Sequence, residues 1–312
     1  MYIIKVGFYR KGEKMPENNQ NLQGLMSIIK KVHSIVEKQD IEKNRQTQNN
    51  VGAMYAKVKD ISIEEFLIAD MEAEWIHVNR AHMKKYIILY CHGGGFTTGS
   101  KEYARTITSK LAESTSMDVC SFNYRLAPEN KYPSAVEDVI KVWDYLMLLG
   151  YGARDIIVAG DSAGGNLALT LLHQLKQKQR LFPRGLVLMS PWIDLTGSGK
   201  SHIKKAKVDP ILSETYLKQA ISMYTEETMK ENALVSPLFG DFTGFPPTYI
   251  QVGENEILLD DSKRLYDKMN ALNVSVHLDV YPNMWHVFQM SPFKTAYDAM
   301  EKSAEFIFEI CR

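Results

Sequence analysis

The 312-residue sequence predicts an α/β protein in which a mostly parallel sheet of about eight strands is flanked by helices and carries a helical lid. Five short runs are apolar almost throughout, as strands buried on both faces of a parallel sheet must be. They span residues 84–91, 117–124, 155–160, 185–190 and 247–253. Helical patterns alternate with them at 101–116, 134–149, 163–178 and 260–272. This alternation predicts right-handed βαβ units in one doubly wound sheet.

The remaining elements lie before, within and after this repeat. Apolar residues at helical spacing predict an amphipathic helix over 21–42, followed by a polar stretch at 43–50. Two short segments, 62–68 and 74–78, predict a leading antiparallel meander. Residues 274–281 alternate apolar and polar, which predicts a half-exposed edge strand before a last helix at 293–311. Residues 195–235 interrupt the repeat with two helical segments and no strand, which predicts a lid over the edge where such sheets bind ligands.

Composition excludes several classes of function. The 37 basic residues equal the 37 acidic ones, so nothing favours nucleic acid or an anionic membrane as a partner. The three cysteines are far apart and lack metal-ligand spacing, which argues against a disulfide framework or a metal site. The first fourteen residues lack the apolar segment and cleavage site of a secretory signal, which predicts a cytoplasmic protein; Met1 or Met15 could be the natural start.

A glycine-flanked serine provides the candidate nucleophile. Gly160-Asp161-Ser162-Ala163-Gly164 follows the strand at 155–160 and precedes the helix at 163–178. A serine on such a tight strand-to-helix turn is held in a strained conformation, with its hydroxyl exposed above the sheet. The alternative is an ordinary serine that caps the helix N-terminus.

A second glycine motif predicts an oxyanion hole. Residues 92–96, His-Gly-Gly-Gly-Phe, follow the strand at 84–91, and consecutive glycines let a backbone direct two N–H groups into one cavity. The N–H of Ala163, directly after the nucleophile, would be the third donor. The alternative is a tightly turning loop without this role.

The base and the acid are expected in later loops. His286 lies between the last strand and the last helix, the loop that delivers the base when nucleophile, acid and histidine occur in this order. A packed loop histidine beside Trp285 is the alternative. Glu256 follows the strand at 247–253 and would orient His286 as the third member. Asp260 remains open as the acid, although helix capping also accounts for it.

These motifs together resemble the bacterial hormone-sensitive lipase family of esterases, which have the α/β-hydrolase fold. The resemblance rests on the motifs at 92–95, 124–129, 160–165, 209–210, 236–238, 253–261 and 285–286, and it spans about residues 50–310. It implies that Ser162, Glu256 and His286 form the catalytic triad, and that Gly94, Gly95 and Ala163 form the oxyanion hole. It also implies one domain over 1–312, with a lid from about 1–45 and 195–235 and a catalytic core at 51–194 and 236–312. Glu256 stands where many relatives carry aspartate.

The predicted function is that of a serine carboxylesterase, which cleaves short- to medium-chain acyl esters through an acyl-enzyme. The expected partner is a small-molecule ester, without a cofactor, a metal, nucleic acid or membrane insertion. A homodimer through 274–281 or the last helix is compatible with the sequence. The alternatives are a carbohydrate acetyl esterase or lactonase with the same triad, a peptidase, or a ligand-binding member of the fold without catalysis.

Overall fold

An eight-stranded sheet lies at the centre of the computed structural model, which describes residues 19–36, 40–55, 60–80 and 85–312. The strands are β1 Ile61–Ile68, β2 Met71–Val78, β3 Ile87–Cys91, β4 Asp118–Phe122, β5 Ile156–Asp161, β6 Gly185–Met189, β7 Thr248–Gly253 and β8 Val276–Tyr281. Their order across the sheet is β1-β2-β4-β3-β5-β6-β7-β8. β2 pairs antiparallel with both β1 and β4, and all other neighbours are parallel. The predicted α/β fold, its leading antiparallel pair and the edge position of β8 are confirmed.

Helices cover both faces of this sheet. They are α1 Asn19–Val36, α2 Ile41–Tyr55, α3 Lys101–Thr115, α4 Ser134–Leu148, α5 Ala163–Gln177, α6 Ser201–Lys204, α7 Glu214–Tyr224, α8 Leu259–Ala271 and α9 Lys294–Cys311. Successive β3 side chains alternate between two cores: Ile88 joins the core with α3 and α9, whereas Ile87 and Leu89 join the core with α4, α5 and α8. Each such fully buried aliphatic side chain stabilises the fold by about 1.5–3 kcal/mol. None of the described helices combines the length and apolar character needed to cross a membrane.

The N-terminal helix prediction was wrong in its extent. The pattern predicted one helix over 21–42 and a polar stretch after it, but the structure has α1 and then α2, which contains the polar residues 43–50. Asp40 begins the second helix, because its carboxylate accepts the N–H of Lys43 at 2.9 Å and its carbonyl accepts that of Asn44 at 3.1 Å. Apolar periodicity could not reveal α2, since several of its polar side chains hydrogen-bond to the turn at residues 97–100. Residues 1–18, part of the predicted lid, lie outside the described residues.

Candidate active site

Three predicted side chains meet at the carboxyl edge of the sheet. Ser162 follows β5, Glu256 follows β7 and His286 follows β8. The Nε2 atom of His286 lies 3.0 Å from Oγ of Ser162, and its Nδ1 lies 2.7 Å from Oε2 of Glu256. All three residues are buried. The structure therefore joins the predicted nucleophile, base and acid in one hydrogen-bonded chain.

Ser162 occupies a strained position between β5 and α5. Its backbone has φ 51° and ψ −120°, a positive φ that residues with a Cβ adopt rarely. Neighbouring segments hold it there, because its N–H donates to the carbonyl of Met189 at 2.9 Å and its own carbonyl accepts the N–H of Trp192 at 3.0 Å. Its side chain makes no capping hydrogen bond to α5, so the reading of Ser162 as a helix cap does not hold.

Gly164 shows why this turn needs a glycine after the serine. A Cβ on Gly164 would lie only 2.0 Å from the carbonyl oxygen of Cys91 and 2.5 Å from that of His92. The first turn of α5 therefore packs directly on the backbone at the end of β3. This contact brings the Ser162 turn and the 92–96 glycine turn together at one edge of the sheet.

Glu256 has hydrogen-bond donors on both carboxylate oxygens. Oε2 faces His286, whereas Oε1 accepts the hydroxyl of Ser190 at 2.8 Å and the N–H of Gly253 at 2.5 Å. Asp260, the open alternative, instead accepts the N–H of Ser201 at 2.9 Å. Of the two candidate acids, Glu256 is the one placed beside His286.

Ser190 is a supporting residue that sequence reasoning missed. Besides donating to Glu256, its hydroxyl accepts the N–H of Val287 at 3.1 Å, so one side chain ties the acid to the residue after His286. A signal existed, because Ser190 is the polar last residue of the predicted strand 185–190 and therefore reaches the same sheet edge.

The electrostatics around His286 favour its protonated form. Burial lowers the pKa of the imidazole, but the hydrogen bond and charge of Glu256, together with nearby carboxylates, raise this pKa above its ordinary value. Asp209 contributes in the same direction. Its carboxylate is buried and accepts N–H groups of Ile211, Leu212 and Ile257, and burial raises its own pKa to about 6. The site thus stabilises the imidazolium that forms when His286 takes a proton.

The predicted oxyanion turn has a constrained backbone. Gly94 has φ +113°, and a Cβ there would lie 2.2 Å from the carbonyl oxygen of Thr98. The carbonyl of Gly94 accepts the N–H groups of Thr97 at 3.1 Å and Thr98 at 2.9 Å. Ala163 is the first residue of α5, so its N–H has no acceptor within the helix.

Asp161 links the two glycine turns, a role that the sequence did not reveal. Its Oδ1 accepts the N–H of Gly93 at 2.9 Å and the hydroxyl of Tyr90 at 2.6 Å. His92 supports the same turn by stacking on Tyr124, with ring centroids 4.1 Å apart. Burial lowers the pKa of His92 to about 4, so this ring is neutral at physiological pH.

Two helices approach the site from above the sheet edge. A Cβ on Gly95 would lie 2.7 Å from the hydroxyl oxygen of Tyr216 and 3.4 Å from Cβ of Ala220, both on α7.

On the other side, Leu25, Met26 and Ile29 of α1 pack against the apolar cluster that contains Trp285. His33 of α1 is also close, because burial and the neighbouring charge of His286 lower its pKa to about 4. α1 and α7 thus enclose the edge where Ser162 lies.

The insertion at residues 195–235 was predicted to contain two helices and no strand. In the structure its α-helices are α6 and α7, and it contains no strand. It is attached to the loop that carries Glu256. Ser201 donates its hydroxyl to the carbonyl of Ile257 at 2.5 Å, and Asp209 accepts the N–H of the same residue at 2.8 Å. Lys30 of α1 donates to the carbonyl of Lys207 at 2.6 Å and links α1 to the insertion.

Comparisons with known proteins find relatives that match most of this chain. Residues 88–290 match the family described as alpha/beta hydrolase fold. An esterase from Acinetobacter venetianus is 44% identical over 223 residues, which are 70% of this chain and 74% of that esterase. An acetyl-hydrolase from Streptomyces hygroscopicus is 34% identical over 216 residues, 69% of this chain and 72% of that protein. A solved esterase structure from the bacterial hormone-sensitive lipase family has a TM-score of 0.87 at 30% identity, and the match covers 94% of this chain and 98% of that one.

Proposed function

This chain belongs to the α/β-hydrolase fold family and is a carboxylic ester hydrolase, and within that class we propose that it is a serine carboxylesterase with Ser162 as its nucleophile. The observation that carries the proposal is the hydrogen-bonded chain from Ser162 through His286 to Glu256. Such a chain activates a hydroxyl that is a weak nucleophile at its own pKa.

In the proposed mechanism, Oγ of Ser162 attacks the ester carbonyl while Nε2 of His286 takes the hydroxyl proton. Glu256 holds the Nδ1–H of His286 and stabilises the imidazolium. The backbone N–H groups of Gly94, Gly95 and Ala163 donate hydrogen bonds to the oxyanion that develops on the carbonyl oxygen. His286 then gives the proton to the leaving alcohol, and water cleaves the acyl-enzyme through the same steps.

Short to medium acyl chains are the proposed substrates. Tyr216 and Ala220 stand close to Gly95, and this contact supports a pocket with little depth above the oxyanion turn. The similarity to an acetyl-hydrolase points in the same direction. α1 and the insertion are the proposed lid over this pocket.

A ligand-binding role without catalysis is less well supported. Proteins that keep only the pocket have no need of a base, an acid and their supporting hydrogen bonds. Here the acid itself is anchored by Ser190 and Gly253, which orient it toward His286. An arrangement this complete favours chemistry at Ser162.

The test is initial-rate hydrolysis of p-nitrophenyl esters from acetate to dodecanoate by the wild type and Ser162→Ala. We expect the highest kcat/KM at short chains and loss of nearly all turnover in the variant. Ser222→Ala is the matched control, because Ser222 is exposed and its hydroxyl donates to the carbonyl of Gln219 within its own helix. Unchanged turnover in Ser162→Ala would exclude Ser162 as the nucleophile.

A further inference from the structure

The helix α2 is hydrogen-bonded to the turn that carries the proposed oxyanion donors. Gln48 accepts the N–H of Gly99 at 3.0 Å, and Asn49 accepts the hydroxyl of Ser100 at 2.6 Å. Arg45 donates from Nε to the carbonyl of Thr97 at 2.9 Å. Three side chains at helical spacing therefore fix the segment that follows the glycines.

Arg45 is the only one of these three side chains that carries a charge. Its guanidinium also donates to the carbonyl of Ala127 at 2.9 Å and pairs with Glu129 at 2.9 Å and Glu42 at 2.6 Å. The Arg45 side chain is 17% exposed, whereas those of Glu42 and Glu129 are 73% and 51% exposed. The guanidinium is thus more buried than either carboxylate, and it contacts the two backbone carbonyls directly.

Two peptide groups connect Arg45 to the proposed oxyanion hole. The Thr97 carbonyl that accepts from Arg45 belongs to the peptide group whose N–H, on Thr98, donates to the carbonyl of Gly94 at 2.9 Å. That Gly94 carbonyl belongs in turn to the peptide group whose N–H is on Gly95. In a planar trans peptide the C=O and N–H point in opposite directions. A hydrogen bond accepted at one end therefore polarises and orients the donor at the other.

We infer that Arg45 is a positioning residue for ester hydrolysis, which polarises and aims the Gly95 N–H through the Thr97–Thr98 and Gly94–Gly95 peptide groups. The reaction in this inference rests on the proposed function, and its path rests on the hydrogen bonds from Arg45 to Thr97 and from Thr98 to Gly94. Chains of hydrogen bonds strengthen one another in a low dielectric, and here the first donor is a cation. The effect should grow with the negative charge on the substrate oxygen, so it should be larger in the transition state than in the bound ester.

Arg45→Met should lower kcat about tenfold while KM changes by less than about twofold. The expected loss is smaller than the 10²–10³ that removal of a direct oxyanion donor typically costs, because the donor itself remains. Arg45→Lys should fall between the wild type and Arg45→Met, since it keeps the charge but loses the planar fork that reaches two carbonyls. Arg180→Met is the matched control, because it removes a partly exposed arginine–carboxylate pair between Arg180, which follows α5, and Asp144 of α4.

Two inhibitors separate polarisation from general disruption. The Ser162 oxygen adds to the carbonyl of an alkyl trifluoromethyl ketone while its proton passes to His286, and the ketone oxygen becomes an oxyanion in the hole. The matched methyl ketone stays a neutral analogue of the bound ester. We expect Arg45→Met to weaken the trifluoromethyl ketone about tenfold and the methyl ketone hardly at all. Equal losses for both ketones, or wild-type affinity for both in folded Arg45→Met and Arg45→Lys, would overturn the inference.

The ketones also separate this inference from the proposed function. A wild-type protein that turns over no ester, but binds the trifluoromethyl ketone in a manner that depends on Arg45, would contradict the proposed esterase and support the relay. A wild-type esterase whose Arg45→Met variant keeps kcat and ketone affinity would support the esterase and contradict the relay. Thermal unfolding of each variant verifies that the compared proteins are folded.

Discussion

Replacement of Glu256 by glutamine should exchange donor and acceptor in the hydrogen bonds that His286 makes. Oε1 of Glu256 accepts from two donors, the hydroxyl of Ser190 and the N–H of Gly253. The hydroxyl of Ser190 in turn accepts the N–H of Val287, so its own hydrogen is directed at Glu256. In Glu256→Gln the amide oxygen must take this position, because an NH₂ group there would face the Gly253 N–H.

The amide NH₂ group then faces Nδ1 of His286. That nitrogen has to become an acceptor, which moves the ring proton to Nε2, where it faces Ser162. A histidine in this tautomer cannot take the serine proton. Loss of the correct tautomer in a serine triad costs about 10⁴ in kcat, or about 5.5 kcal/mol in the activation barrier.

The assay is kcat and kcat/KM on p-nitrophenyl acetate across pH. In the wild type, kcat/KM should fall as pH decreases through the raised pKa of His286, because only the neutral imidazole acts as the base. Without the Glu256 anion this pKa drops, so the remaining activity of the variant should persist to lower pH.

Asp260→Asn provides the control, since Asp260 bonds to Ser201 and not to His286. Its kcat should stay within about threefold of the wild type. A folded Glu256→Gln enzyme that keeps a tenth or more of wild-type kcat would refute the reasoning, as would an Asp260→Asn enzyme that loses as much as Glu256→Gln.

Three further changes test other parts of the site. Gly94→Ala should abolish most activity and lower Tm, because its Cβ would lie 2.2 Å from the Thr98 carbonyl at a positive φ; rates and thermal unfolding at wild-type values would contradict this. Tyr216→Ala should move the preferred p-nitrophenyl ester to longer chains, while Tyr216→Phe should not, and an unchanged preference in Tyr216→Ala would show that this side chain does not limit the pocket. Ser190→Ala should reduce kcat about tenfold and the free energy of unfolding, measured in urea, by about 1–3 kcal/mol, because Glu256 and Val287 each lose a buried partner. No change in either quantity would contradict a supporting role for Ser190.

The sheet and the residues that come together at its edge could be predicted from the sequence. Runs such as 155–160 and 185–190 are apolar almost throughout because both faces of the sheet are covered, and this pattern is local. The places of Ser162, Glu256 and His286 followed from strand order, since loops after parallel strands meet at one edge. The resemblance to esterases of the hormone-sensitive lipase family is confirmed by the family match and by a structure of that family.

The parts that could not be predicted depend on contacts between distant segments. α2 has a polar sequence, and its place is set by bonds from Arg45, Gln48 and Asn49 to a turn about fifty residues away. Tyr216 is an unremarkable helix residue until the fold sets it beside Gly95. Neither contact produces a periodic pattern or a motif, so only the three-dimensional structure reveals it.

The positive φ of Ser162 means that this protein is less stable than its own fold permits. Strain of this kind costs on the order of 1–3 kcal/mol, a noticeable part of the roughly 5–15 kcal/mol that separates folded from unfolded domains. Glycine would relieve the strain and remove the hydroxyl in the same step. A library of variants selected only for survival on heating should therefore accumulate Ser162→Gly, whereas selection for ester cleavage should retain the serine. At this residue, thermal stability and catalytic activity favour different side chains.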